Sequence, residues 1–166
     1  MVRTDVEAVF TVVFREGFEM NNRFAKEAGT ALVALFLLTA AASAAGLTVT
    51  KTPWCGCCDG WIDHMKAAGF DVTVHEEEDL TAIKAKMGIA PKHQSCHTGE
   101  IEGYAIEGHV PAEDVARLLK ERPEARGLTV PGMPVGSPGM EMGDRRDAYE
   151  VLLILKDGTS EVFAKH

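Results

Sequence analysis

"LTVTKTPWCGCCDGWIDHMKAAGFDVTVHE", residues 47–76, holds the reading from which the fold follows. Its first five residues alternate apolar and polar as a short strand does, and they run straight into three cysteines within four positions. Residues 58–69 then follow a helical period, with Trp61, Ile62, Met65 and Ala68 on one face. Gly69 stands where a helix-ending glycine belongs. Residues 70–76 alternate again, with Phe70, Val72 and Val74 on one side. A strand, a helix and a second strand of this length favour a βαβ unit with parallel pairing.

Working outward, residues 79–87 read as a helix with Leu80, Ile83 and Met87 inward and Gly88 as its stop. "SCHTGEI" and "YAIEGHV" flank a turn at Gly103 and read as an antiparallel hairpin. "PAEDVARLLKE" (111–121) is the clearest helix. Pro111 suits a first helical position, Glu113 and Asp114 suit the positive N-terminal end, and Val115, Leu118 and Leu119 form the apolar stripe. The order βαβ-α-ββα is that of an α/β, thioredoxin-like fold. Residues 127–148 are rich in Gly, Pro and Met and cannot make one regular element. Residues 149–165 read as a hairpin around Asp157-Gly158, a pair suited to a tight turn. Packed on the main sheet, that hairpin carries the Met-bearing loop back across the domain.

The first 45 residues differ in character. Arg23 and Lys26 precede "ALVALFLLTAAASAA" (31–45), an order of basic, apolar and small residues that matches a secretory signal with Ala42-Ser43-Ala44 at its cleavage site. The apolar run is too short and Ala-rich for a membrane span, so no stable membrane insertion is expected after cleavage. Met20 is the expected translation start, which makes residues 1–19 an upstream extension, 20–45 a signal peptide and 46–166 the working domain. The 166 residues are 46% hydrophobic, enough for a real core, with a net charge of −8 and a pI near 5.2. No basic stripe stands out, which argues against nucleic acid or an anionic membrane surface as a partner.

Four cysteines are too few for a disulfide scaffold, and three of them crowd one loop, so a site is expected rather than a staple. Cys55 and Cys58 have redox-pair spacing, and a helix N-terminus favours thiolates. Cys57 is surplus to that pair; in a continuous helix it would lie about 100° around the axis from Cys58. Cys96, on the third strand, is the sulfur that the topology can bring to the first helix. His97, its strand neighbour, tends to the opposite face, and His93 and His109 remain background candidates. Met133, Met140 and Met142 sit in "PGMPVGSPGMEM", where there is little local core to fill, and thiolate with thioether is the soft set that favours Cu(I). Four cysteines also suit a closed zinc site, and spacing alone does not choose between the metals.

"WCGCCDGW", "SCHTGEIEGYAIEGHVPAEDVARLL" and "GLTVPGMPVGSPGMEMG", in this order, resemble the CopG-like family of exported copper-resistance proteins, long described only as a domain of unknown function. The resemblance spans about residues 47–163 and implies a thioredoxin-like fold, a bacterial periplasmic location and Cu(I) held by cysteine thiolates, with a multinuclear cluster among the arrangements. It places Cys55, Cys57, Cys58 and Cys96 in the site and matches the Met loop as a motif. Among the soft donors and histidines read from the residues, Met140 and Met133 are the candidates beside the cysteines, with Met142 and His97 ranked lower. Copper ions and other periplasmic copper-handling proteins are the partners the resemblance implies. The long stretch before Met20 is the one visible departure. A thiol–disulfide oxidoreductase using Cys55 and Cys58 is the main alternative, and a structural zinc domain the third. Whether the site turns over as an enzyme stays open.

Overall fold

The computed structural model of the chain describes residues 45–166. The expected upstream extension and all of the expected signal segment but Ala45 lie outside the described residues. No helix among the described residues is long and apolar enough to cross a membrane.

One seven-stranded mixed sheet carries the molecule, in the order β2-β1-β3-β4-β5-β6-β7. Strand β1 (Gly46–Lys51) leads into helix α1 (Gly56–Ala67), and β2 (Asp71–Glu76) returns parallel to β1. Helix α2 (Thr81–Lys86) follows, and then the antiparallel pair β3 (Thr98–Ile101) and β4 (Tyr104–Glu107). Strand β3 pairs antiparallel with β1, so the segment entering β3 arrives beside the β1–α1 junction. Helix α3 (Ala112–Glu121) leads to β5 (Ala125–Thr129), parallel to β4. The order β-α-β-α-β-β-α read from the sequence is present.

The core forms where the expected apolar faces meet. Leu47 and Val49 of β1, Trp61, Ile62 and Met65 of α1, Ile101, Ile106, Val115, Leu118 and Leu128 pack as one buried cluster. Their spacing at two residues in strands and three or four in helices is what lets one side of each element leave water.

Four details differ from the expectation. Helix α1 starts at Gly56 rather than residue 58, with Cys55 at its N-cap, so Cys57 and Cys58 occupy the first turn. Pro111 is the extended N-cap of α3, and Ala112 is the first helical residue. Helix α2 is shorter than read, and its buried side chain is Lys84, while Ile83 and Met87 are only half-buried. A lysine reads as solvent-facing unless its partner is known, and that partner, Glu107, lies on β4. Finally, 127–129 belong to β5 rather than the Gly/Pro loop. Gly127 is required there by close approach, because a Cβ would stand 1.8 Å from the Ala105 carbonyl oxygen.

The hairpin of β6 (Glu150–Leu155) and β7 (Ser160–Lys165) extends the sheet edge to edge through β5–β6 pairing, rather than lying on its face. The long segment between β5 and β6 crosses to α1, as expected of a loop tied down at both ends.

Candidate metal centre

The β1–α1 junction is held tightly. The Cys55 amide donates to the Thr52 carbonyl at 3.1 Å, closing the turn into the helix. Lys51, only 3% exposed, reaches Asp59 of α1 at 3.0 Å, Glu76 of β2 at 3.3 Å and the Thr52 carbonyl at 3.2 Å. One ammonium thus ties together the strand end, the cysteine turn and the first turn of the helix. Cys55 and Cys58 are joined as a disulfide, with Cα atoms 5.4 Å apart. Cys57 and Cys96 are free thiols. The Cys57 sulfur lies 3.6 Å from that of Cys55, so this helix start turns three sulfurs to one side.

Cys96 comes from the bend before β3. All four sulfurs lie within 4.8 Å of one another, although one comes from a segment remote in sequence. The bend is pinned by a buried polar network. Glu107 accepts from the Ser95 amide at 2.6 Å, the Thr98 hydroxyl at 2.7 Å and the Lys84 ammonium at 2.5 Å. The Ser95 hydroxyl donates to the Gly132 carbonyl at 2.6 Å.

Because Cys96 precedes β3 rather than lying within it, strand alternation does not separate it from His97. His97 Nδ1 lies 3.3 Å from the Cys96 sulfur, contrary to the expectation of opposite faces. His109, ranked in the background by sequence, places Nε2 3.0 Å from the same sulfur. The signal that identifies it is tertiary: residue 109 follows β4, which pairs with β3. His93 is bonded instead to Ser160, at 3.1 Å. Cys96, His97 and His109 therefore form a second close group around one sulfur.

The hydrogen bonds assign the proton positions. The Pro138 carbonyl accepts from His109 Nδ1 at 2.8 Å, which leaves Nε2 as an acceptor facing Cys96. The Cys96 thiol donates to it, and His97 Nδ1 donates to the sulfur. Burial, then the nearby charge of Cys57, pushes the Cys96 thiol up to about 12. Burial also pushes both histidines below their ordinary range, His97 with a further push from His109. At neutral pH the pocket holds a protonated thiol between two neutral imidazoles.

The Met-bearing loop docks against α1. Gly139 abuts Gly60, Glu141 meets His64 at 2.7 Å, and Pro138 takes the His109 bond. Met140 sits half-buried between these anchors, while Met133 and Met142 are 53% and 63% exposed. Trp54, directly before Cys55, is 69% exposed.

Thiolates are soft ligands, and four within mutual reach suit Cu(I) and also allow zinc. Thiol protonation has a consequence for any metal. Binding at Cys96 must release a proton, because its pKa of about 12 lies far above neutral. With the protein reduced, apparent affinity is expected to rise at least about tenfold per pH unit between about pH 6 and 9, from Cys96 alone. Competition titrations across that range check it, and a flat profile contradicts it.

A family model described as "protein of unknown function, DUF411" matches residues 93–140, which include Cys96, His97, His109 and Met140. Two solved structures, both of the copper resistance protein copG in different forms, are similar over 75% of this chain. Each is 48% identical, with TM-scores of 0.72 and 0.71, and the match covers 99% and 98% of those chains. No curated protein matches the chain.

Proposed function

Since the chain belongs to the CopG-like copper-resistance family, we propose that it binds Cu(I) in its reduced state through Cys55, Cys57, Cys58 and Cys96 and so supports copper tolerance. The observation that carries this reading is the convergence of four sulfurs to within 4.8 Å. Sulfurs this crowded can bridge between ions, which favours clustered Cu(I) over a single closed zinc site. Met140 is the proposed thioether donor, because Gly139 and Glu141 on either side of it both meet α1. Met133 ranks behind it, with Met142 last among the methionines.

The first seven elements are read as a thioredoxin-like unit, supported by the strand order β2-β1-β3-β4 and the cysteine pair at the N-terminus of α1. The proposed setting is the bacterial periplasm, reached through the signal-like residues 20–45. Other periplasmic copper-handling proteins are its proposed exchange partners.

An anaerobic Cu(I) titration of the reduced protein against a competing chelator tests the reading. Cys96→Ser is expected to lower affinity at least about tenfold and to reduce the number of ions held. Native affinity too weak to compete, or an unchanged Cys96→Ser variant, overturns it.

The Cys55–Cys58 disulfide supports a second reading, thiol–disulfide exchange on protein substrates. In that case Cys57 and Cys96 are dispensable, and metal-free protein reduces insulin with efficient turnover. Reduction of this disulfide by a dithiol, with two electrons and two protons passing to Cys55 and Cys58, returns two of the four ligands, so the same exchange step serves both readings.

A further inference from the structure

We propose that His93 is a proton-operated latch: neutral, it clasps the segment leading to Cys96 onto β5 and β7, and protonated it lets that segment go. The latch does not depend on the copper reading.

The first argument is position. His93 closes a single 3-10 turn (Pro91–His93) shortly before Cys96. Its amide donates to the Ala90 carbonyl at 2.8 Å, and its carbonyl accepts from the Thr129 hydroxyl of β5 at 2.7 Å. Its ring Nε2 lies 3.1 Å from the Ser160 hydroxyl of β7. One residue thus joins the turn to two strands that are remote in sequence. The bend carrying Cys96 has its other anchor in the Ser95 amide, which donates to Glu107.

The second argument is the environment of the ring. His93 is 2% exposed, yet its Nδ1 has no hydrogen-bond partner among the described residues. A neutral imidazole tolerates this, because one nitrogen can stand as a bare lone pair. An imidazolium carries two N–H groups. Ser160 accepts one of them, and the other, at Nδ1, becomes a charged donor buried without an acceptor, which is the costly case. Burial, then the like charge of Lys92 on the same turn, pushes the imidazole below its ordinary range. The groups that meet His93 from β5 and β7 are hydroxyls and carry no charge. The charged residues nearest to them along the chain are turned elsewhere. Arg126 donates to the Lys156 carbonyl, Asp157 accepts from Thr159, and alternation turns Glu161 to the opposite face from Ser160.

The third argument is the way out. Ser160 is exposed at the start of the edge strand β7, so the ring lies one hydroxyl away from water. Swinging out gives both N–H groups water and gives up the Ser160 bond. The open segment takes a proton at the ordinary histidine value of about 6.5, whereas the closed one takes it only at lower pH. Opening therefore gains as pH falls below about 6.5, and above it the latch is shut. Where the proposed Cu(I) reading holds, opening loosens the approach to the one remote thiolate, so acid acts on that site through His93 as well as through the thiols.

The test is hydrogen exchange on the metal-free full chain in its disulfide form, between about pH 7 and about pH 5.5, corrected for the intrinsic rate. Protection of the His93 and Gln94 amides is expected to fall about three- to tenfold, while the central strands β1 and β4 keep theirs. His93→Phe keeps a ring that cannot take a proton and is expected to lose this pH dependence. Wild-type protection that stays flat, or an unchanged pH dependence in His93→Phe, overturns the proposal. Imidazole nitrogen shifts of the native protein decide it without a variant. The His93 ring is expected to stay neutral at about pH 6.5, and a ring already half-protonated there in the closed state overturns the latch. Failure of Cu(I) binding by the reduced protein sinks the cuprous reading and leaves the latch standing.

Discussion

Replacing Lys84 by alanine is expected to destabilise the protein by about 3–5 kcal/mol, the cost of leaving a buried charge without its partner. Glu107 is fully buried, Lys84 nearly so, and their ion pair measures 2.5 Å. Burial raises the Glu107 pKa, and the Lys84 ammonium is the main influence opposing that rise. Without Lys84, the folded-state pKa of Glu107 moves further above its unfolded value. An acid shifted in that direction favours the fold while protonated and loses that contribution as pH rises through the folded pKa. The variant is therefore expected to be least impaired near pH 4–5 and most impaired at pH 7 and above. Urea unfolding at several pH values measures this, and a loss that does not grow with pH contradicts it.

The same network shows why an apolar pair cannot simply replace the ions. Glu107 also accepts from the Ser95 amide and the Thr98 hydroxyl. A Lys84→Met/Glu107→Leu double variant removes both charges but leaves those donors unmatched, at a cost of roughly 1–3 kcal/mol for each buried group left bare. It is expected to recover part of the stability of Lys84→Ala and not all of it. Because Ser95 adjoins Cys96, amide exchange at 95–98 should quicken in both variants.

Gly139→Ala is the second large effect. The residue has φ +82°, and an added Cβ would stand 2.5 Å from the Trp61 amide nitrogen and 2.6 Å from the Cys57 carbonyl oxygen. Both are backbone atoms of the first helix and cannot swing aside. The left-handed conformation costs roughly 1–3 kcal/mol for alanine, and overpacking adds roughly 1–3 kcal/mol. The cheaper response is for the loop to lift off α1, taking Met140 and the Pro138–His109 bond with it. Residues 131–148 are then expected to become protease-sensitive while the urea midpoint of the sheet moves little. Undiminished protection of the loop contradicts this. If Met140 is a copper ligand, Cu(I) affinity falls with it, whereas binding by the cysteines alone is spared.

Much of the architecture is legible in residues 47–121 because burial imposes a period. Leu47 and Val49 repeat at two, Trp61, Ile62 and Met65 at a helical spacing, and each set marks the face that leaves water. Where the period is overridden, reading fails. Lys84 looks like a surface residue, since only a partner on another strand makes its burial tolerable. Strand β5 hides at the edge of a Gly-rich stretch, since Gly127 serves close backbone approach rather than a side-chain pattern. β2 is an edge strand with Val74 partly exposed, so its alternation is weaker in fact than on paper.

At the candidate centre the division is the same. The chemical inventory is written in the residues: a surplus cysteine between a spaced pair, a remote fourth, and methionines in a loop with little core to fill. Those are properties of residue type and local spacing. The neighbours of Cys96 are set by folding instead. The β1–β3 pairing carries its sulfur to the helix start, and the bend before β3 turns His97 toward it instead of away. The β3–β4 pairing delivers His109, and the loop after β5 fixes that ring through Pro138. Strand register and loop docking set these distances through contacts between distant parts of the chain, which no local pattern encodes.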